Sequence, residues 1–289
     1  MRVTPLADPA RTEWSHRLAW LADEDGVPVG SAFLRYSAHT DDAHRAELEL
    51  TVHPAHRRAG IGTTLLDAVL DTARADGVRV LRVVTGDEAP GPDFLAARGF
   101  RRVLALTFGR LDLRTADLAP VRALAEQAHP GYRLVDWAGT VPGELAETYA
   151  ASRRAMDDMP MDDADHTPEV WDVARLHAVA KIVADRGEHL HTVAALAADG
   201  SIAGFSELVT GADGDGDAQH YGTAVLPAHR GHGLGAWMKA ASVVRAAAHF
   251  PKLEGLLTDT AESNTAMRAI NDRFGYAPTH RLLYFERSV

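Results

Sequence analysis

The chain carries one eleven-residue pattern twice, 173 positions apart: Val52-His53-Pro54-Ala55-His56-Arg57-Arg58-Ala59-Gly60-Ile61-Gly62 returns as Val225-Leu226-Pro227-Ala228-His229-Arg230-Gly231-His232-Gly233-Leu234-Gly235. A repeat at this spacing calls for two structural units, each with the same turn at the same point of its architecture. The shared core is V-x-P-A-H-R-x-x-G-x-G. Each copy follows a strand-like run and precedes a helical one, so backbone N–H groups and a helix N-terminus gather around one point, an arrangement suited to a pyrophosphate. Glycines there let the backbone approach phosphate closely, because they carry no Cβ.

Two better-known phosphate loops do not fit either copy. A P-loop needs Lys-Ser or Lys-Thr after its last glycine, where the chain has Thr63-Thr64 and Ala236-Trp237. A dinucleotide fingerprint needs a third glycine three residues further on, where Leu65 and Met238 stand.

The R-x-x-G-x-G turn after V-x-P resembles the acetyl-CoA signature of the GNAT superfamily of N-acetyltransferases. A second landmark of that family, a Gly-Phe or Gly-Tyr pair opening a late strand, is matched by Gly99-Phe100 and Gly275-Tyr276, 37 and 40 residues after Gly62 and Gly235. The resemblance implies an α+β chain of two tandem GNAT-like domains, each a mixed, mostly antiparallel sheet flanked by helices. Among whole chains the likeness is to bacterial tandem-GNAT proteins.

Composition fits that reading. With 289 residues and 46% hydrophobic content, two domain cores are within reach. No apolar run approaches a membrane span, and the start, Met1-Arg2-Val3-Thr4-Pro5-Leu6-Ala7-Asp8, lacks a signal-peptide stretch, so no membrane partner and a cytoplasmic location are expected. The chain has no cysteine, which removes disulfides, thiolate ligands and thiol nucleophiles. Lysine occurs at only three positions, Lys181, Lys239 and Lys252. Residues 1–128 hold 16 basic and 18 acidic side chains, a net of -2, whereas residues 129–289 hold 14 and 22, a net of -8. Such a surface is a poor partner for nucleic acid and a better one for a cationic amine.

Hydrophobic periodicity supplies the outline. Leu18 to Ala22 and Val29 to Tyr36 read as a hairpin, Ala46 to Val52 as a half-buried strand, Thr63 to Ala75 as a helix and Val78 to Val84 as a buried strand. Only residues 1–17 precede that hairpin, so the first domain is expected to be truncated at its front, without the opening strand and two helices that wall the acceptor pocket in GNAT proteins. The second domain has that front: a strand at Tyr132 to Trp137, helices at Pro142 to Met156 and Pro168 to Ala184, strands at His191 to Ala198, Ile202 to Thr210 and His220 to Val225, then a helix from Ala236 to His249. The boundary is expected near His129-Pro130-Gly131, giving domains 1–128 and 129–289.

The resemblance implies a CoA-dependent N-acyltransferase with acetyl-CoA or another acyl-CoA as co-substrate and the amine of a small molecule as acceptor. Main-chain groups of Arg230, Gly231, His232, Gly233, Leu234, Gly235 and Ala236 would hold the pyrophosphate, with Val225 beside the thioester. Val52, Arg57, Arg58, Ala59, Gly60, Ile61, Gly62 and Thr63 are the equivalents in the first domain. Asn264 matches a family asparagine that contacts CoA; its counterpart is Glu88. The usual base, a glutamate six residues before the conserved valine, is replaced by Ala46 and Gln219, and the usual acid, a tyrosine four residues before the late glycine, by Leu95 and Asn271. His220 and Glu207 are the nearby candidates for the base. The second domain is therefore expected to be the catalytic unit, with the first non-catalytic though able to bind CoA. A catalytically silent acyl-CoA-binding or sensor protein is the alternative, favoured by the missing Glu and Tyr.

Two local features point to less. The acidic stretch Asp157-Asp158-Met159-Pro160-Met161-Asp162-Asp163-Ala164-Asp165 lies where GNAT acceptor loops lie and would suit a cation, or else be a solvated loop. His229 and His232, with His220, would suit a metal only by proximity, and His229 has a twin in His56, so no metal is expected. The chain is expected to be a monomer or homodimer.

Overall fold

A computed structural model describes residues 1–7, 16–36, 44–88, 90–165 and 170–289. From the N-terminus the elements are β1 (Arg2–Ala7), β2 (His16–Glu24), β3 (Val27–Tyr36), β4 (Arg45–Val52), α1 (Ile61–Ala75), β5 (Val80–Gly86), α2 (Gly91–Ala97), β6 (Arg101–Asp112) and α3 (Ala119–Ala125). They continue with β7 (Tyr132–Ala138), α4 (Gly143–Ser152), α5 (Val173–Asp185), β8 (His189–Ala197), β9 (Ile202–Thr210), β10 (Asp215–Val225), α6 (Leu234–His249), β11 (Lys252–Ala261), α7 (Thr265–Phe274) and β12 (Ala277–Ser288). Helix α5 starts at Val173 rather than Pro168, capped by the Asp172 carboxylate, which accepts from Arg175 N at 2.7 Å. Positions 168 and 169 lie outside the described residues.

The chain forms two compact units, one of Met1–Ala105, Met161–Thr167 and Arg281–Val289, the other of Leu106–Pro160 and Pro168–His280. This division differs from a single cut at residue 128. Residues 106 to 128 go with the second unit because α3 buries Val121 and Leu124 against Ala240 and Val243 of α6. The indole of Trp237 also donates to the Ala125 carbonyl at 3.0 Å.

The strand pairings within the two units repeat one another. In the first unit β1, β2, β3 and β4 pair antiparallel in sequence, β4 pairs parallel with β5, and β5 pairs antiparallel with β12. In the second, β7, β8, β9 and β10 pair antiparallel, β10 pairs parallel with β11, and β11 pairs antiparallel with β6. The last strand of each sheet is thus exchanged: β6, which follows α2, completes the second unit, and β12, which follows α7, completes the first.

The first unit is less truncated than the sequence suggests. Its opening strand is present as β1, whose six residues pair with Leu18 to Asp23. Positions 8–15, between β1 and β2, lie outside the described residues. The pairing was hard to read because Val3-Thr4-Pro5-Leu6 has little alternation and a proline, which edge strands tolerate.

Each core follows from the patterning. In α1, Ile61, Leu65, Leu66, Val69, Leu70 and Ala73 are buried along one face, each large side chain contributing about 1.5–3 kcal/mol when fully removed from water. Strand β9 is buried at every residue. Its Ile202 and Phe205 belong to one apolar cluster with α4, and its Ala203 to another with Leu234, Trp237 and Met238 of α6, so a helix covers each face.

Candidate functional site

Both copies of the repeated pattern build the same object. A short 3-10 turn, Pro54–His56 or Pro227–His229, follows the strand. The next arginine reaches back to the strand's last carbonyl: Arg57 Nε donates to Val52 O at 3.3 Å and Arg230 Nε to Val225 O at 3.1 Å. Arg58 and Gly231 then adopt φ of 66° and 81°, and Gly60 and Gly233 φ of 84° and 75°. This left-handed backbone disfavours a Cβ, which accounts for the glycines. Helices α1 and α6 begin at once, and no side chain caps their first N–H groups. Those donors and the positive end of the helix dipole face the same side of the turn, an arrangement of the kind that suits an anion. Among the described residues nothing lies within 4 Å of where a Cβ on Gly60 would be, whereas at its counterpart Gly233 the His129 ring lies 3.3 Å away. Residues Arg57 to Thr63 and Arg230 to Ala236 each form one continuous turn into the helix that follows.

Beside each turn the parallel strands part. Strands β4 and β5 pair only from Arg45↔Val80 to Glu47↔Arg82, and β10 and β11 only from Asp215↔Lys252 to Gln219↔Leu257. Their outer neighbours remain paired much further along, to Gly86 on β5 and Ala261 on β11. The result is a cleft open toward the turn and closed at an apex. In the second unit β10 is also irregular between His220 and Gly222, which leaves Tyr221 exposed and turns His220 into the protein.

The apex of the second cleft is polar and buried. Lys239 Nζ, only 1% of whose residue surface is exposed, donates to Asn271 Oδ1 at 2.6 Å and Thr258 Oγ1 at 3.3 Å and lies 4.7 Å from the centre of the Tyr276 ring. Asn271 Nδ2 donates in turn to Thr260 Oγ1 at 3.0 Å. Burial brings the Lys239 ammonium down to about 7, with Asp259 opposing. Burial pushes the Tyr276 phenol up, and its oxygen is without a hydrogen-bond partner among the described residues. His220 is buried beside the same group, and burial together with the Lys239 charge holds it well below the ordinary histidine value. Neither of its ring nitrogens makes a well-formed hydrogen bond among the described residues.

Glu207, the other candidate base, is differently placed. Tyr149 donates to its Oε1 at 2.5 Å and Arg153 to its Oε2 at 2.6 Å, all three buried. The Arg153 guanidinium lies between Trp171, at 4.1 Å, and Phe205, at 4.6 Å. Both carboxylate oxygens are therefore engaged in an ion pair that ties α4 and the turn after it to β9. Glu207 sits opposite Gly222, next to the irregularity in β10.

The remaining expectations fall as follows. Asn264 caps α7, its Oδ1 accepting from Met267 N at 3.1 Å, just beyond the end of β11. Glu88 caps no helix: the N-cap of α2 is Pro90. In the acidic stretch Asp158 pairs with Arg230 at 3.0 Å, and Asp165 pairs with His44 at 2.7 Å while its carbonyl accepts from Arg82 at 2.7 Å. Asp158 thus already has a cationic partner, and the Asp165 carboxylate is engaged by a histidine. His229 accepts or donates at Tyr132 OH, 3.0 Å away, and His232 offers its carbonyl to His129, so both hold the turn in place. No group of three metal-ligating side chains occurs among the described residues.

The first unit has the turn and the parting strands but not the polar apex. Lys239 stands nine residues after Arg230, and the residue nine after Arg57 is Leu66. Asn271 and Tyr276 stand four before and one after Gly275, and around Gly99 these positions hold Leu95 and Phe100. Leu66, Leu95 and Phe100 are all buried in one apolar cluster. Phe94 adds a ring 3.4 Å from where a Cβ on Gly62 would be. Sequence reasoning missed Lys239, although one signal was available: a lysine inside the apolar run Trp237-Met238-Lys239-Ala240-Ala241 of a chain with only three lysines.

The acetyltransferase (GNAT) family matches residues 2–100 and 153–276. The chain belongs to the GNAT family. A mycothiol acetyltransferase of Clavibacter michiganensis subsp. michiganensis is 30% identical over 255 residues, 83% of this chain and 72% of that protein. A mycothiol acetyltransferase of Thermobifida fusca is 38% identical over 120 residues, 41% of this chain and 35% of that protein, so the chain spans only about a third of that relative's length. Among solved structures, a tandem GNAT protein from the clavulanic acid biosynthesis pathway superposes with a TM-score of 0.70 at 27% identity, covering 98% of this chain and 85% of the other. Two GNAT-like domains in tandem are thus common to this chain and that neighbour. No described helix is long and apolar enough to cross a membrane.

Proposed function

We propose that the chain transfers an acetyl group from acetyl-CoA to the amine of a small molecule, with the second unit as the catalytic one. One observation carries the reading: beside the Arg230 to Ala236 turn, β10 and β11 part beyond Gln219↔Leu257 onto a buried polar apex, whereas the corresponding positions of the first unit are Leu66, Leu95 and Phe100. GNAT acetyltransferases use acetyl-CoA as co-substrate. Here the main-chain N–H groups from Arg230 to Ala236 would hold its pyrophosphate, each charge-assisted hydrogen bond contributing about 1.5–3 kcal/mol. The thioester arm would run between β10 and β11 toward the apex, with main chain beside the irregularity of β10, rather than at Val225, polarising the carbonyl.

The amine attacks the thioester carbon, the C–N bond forms and the C–S bond breaks. His220 is the base of choice, because its ring nitrogens are not engaged by other described side chains, while Glu207 is held by Tyr149 and Arg153. Burial keeps the imidazole neutral and makes it a weak base, suited to the acidic N–H of the tetrahedral adduct. Glu207 then acts as a positioning residue, fixing α4 and Arg153 beside the bulge of β10. The acidic balance of residues 129–289 favours a cationic acceptor. The resemblance to mycothiol acetyltransferases makes the acceptor of those enzymes the first amine to try, and cytoplasmic placement goes with that chemistry.

The test is release of free thiol from acetyl-CoA with a panel of small primary amines that includes that acceptor. Acceptor-dependent release, retained when Gly60 is replaced by valine and lost when Gly233 is, supports the reading. Binding of CoA without release for any amine would overturn it in favour of an acyl-CoA-binding sensor.

A further inference from the structure

We propose that Lys239 is the proton donor to the CoA sulfur, its Nζ facing the thioester at the apex of the second cleft. The inference deepens the acetyl-transfer reading and rests on it. Geometry comes first. From Val225, next to the turn, back to His220 is five strand residues, about 17 Å, a span suited to the extended thioester arm of CoA with its pyrophosphate on the turn. An arm of that reach ends where β10 and β11 come together. Lys239 reaches the same place from α6: its Nζ contacts Thr258, the first β11 residue beyond the paired segment, and Asn271 of α7. The groups around it are Thr258 and, more distantly, Asp259 from β11, Asn271 from α7, Tyr276 from the segment after α7 and His220 from β10. No carboxylate is bonded to the ammonium among the described residues, so its proton is not locked in an ion pair.

The chemistry follows from the order of proton affinities. A lysine with its ordinary value near 10.4 would not give its proton to a thiolate, whose thiol titrates near 8.5. Burial brings Lys239 to about 7, which makes the transfer downhill. As the C–S bond breaks, its electron pair goes to sulfur and sulfur takes the proton from Nζ. The proton lost by the amine nitrogen, received by His220, returns through the site to restore the ammonium. Nothing is oxidised or reduced, and the products are the amide and the free thiol of CoA. Asn271 and Thr258 orient Nζ.

The three lysines make the test direct. In protein labelled with nitrogen-15 lysine, three side-chain signals are expected, and the one absent from Lys239→Met belongs to Lys239. That signal should titrate near 7 and should move when CoA is added, with or without turnover. In steady state, Lys239→Met should lower kcat by about 10² or more while leaving the acetyl-CoA KM within threefold, and the alkaline limb of the wild-type profile should vanish. Lys239→Arg, which keeps the charge but not a transferable proton, should not restore the rate. A Lys239 signal untouched by CoA, a Lys239→Met rate within threefold of wild type, or rescue by Lys239→Arg would each overturn the assignment. A wild-type chain in which CoA moves the signal but no amine releases thiol would overturn acetyl transfer, and with it the donor step, while keeping Lys239 at the sulfur.

Discussion

The repeated turn is nearly the same in both units, yet the ground beneath it is not. Arg57 and Arg230 make the same hydrogen bond to the same strand carbonyl, and Gly60 and Gly233 share the same left-handed backbone. Directly below, one unit buries Leu66, Leu95 and Phe100 and the other buries Lys239, Asn271 and Tyr276. Three apolar side chains lower the cost of folding, whereas a buried ammonium raises it and has to be satisfied by Asn271 and Thr258. The first unit thus keeps the turn and the parted strands on an ordinary core. The second accepts a buried charge at the one place where acetyl transfer would use it.

Variants can break this asymmetry, and the largest effect should come from the second unit's base. His220→Ala should lower kcat/KM by about 10²–10⁴ in a steady-state assay. In the wild type, the acid limb of kcat/KM should lie below the ordinary histidine range, since burial and Lys239 keep His220 neutral there, while the alkaline limb should fall near 7 with Lys239. An acid limb centred at 6.5 or above would point to another group.

Next, Gly233→Val should abolish CoA binding in the second unit, because a β-branched residue opposes a φ of 75° and its Cβ would lie 3.3 Å from the His129 ring, so that the turn has to shift. Calorimetry on Gly60→Val, Gly233→Val and the wild type then counts the sites. A single site lost only in Gly60→Val would reverse the choice of unit.

A smaller and purely structural effect is expected at the acceptor front. Arg153→Ala leaves Glu207 buried with one uncompensated charge, and loss of one partner of such a pair costs about 3–5 kcal/mol, visible in a denaturant melt. The smallest effect should be Gly60→Val on acetyl transfer itself, with the rate within a fewfold of wild type.

Much of this was legible in the sequence where structure is local. The hairpin of β2 and β3, helix α1 and the run from β7 to α6 all followed from periodicity, and the turn followed from its glycines. What was not legible depends on residues far apart in the chain. Whether the strand after Gly99-Phe100 pairs with β5 or with β11 is decided by surfaces more than a hundred residues away, and no local pattern records it. Lys239 was hidden for a related reason. On its own helix it reads as one polar residue in an apolar run, and its role emerges only when Thr258 and Asn271 close around it. Glu207 misled in the opposite direction, since Tyr149 and Arg153, which occupy its oxygens, come from α4 and the turn after it, 58 and 54 residues upstream.

The exchanged last strands set a timetable for the nascent chain. Strand β5 ends at Gly86, but the segment that pairs with its outer edge begins at Arg281. At ~5–20 residues per second, the roughly 195 residues between them take on the order of ten to forty seconds to emerge from the ribosome. Through that interval Val80 to Gly86 presents an unpaired edge, the kind of surface on which strands of other chains can nucleate. Completion of the first unit therefore waits on synthesis of the second, and a ribosome stalled in between would leave an open edge rather than a finished domain.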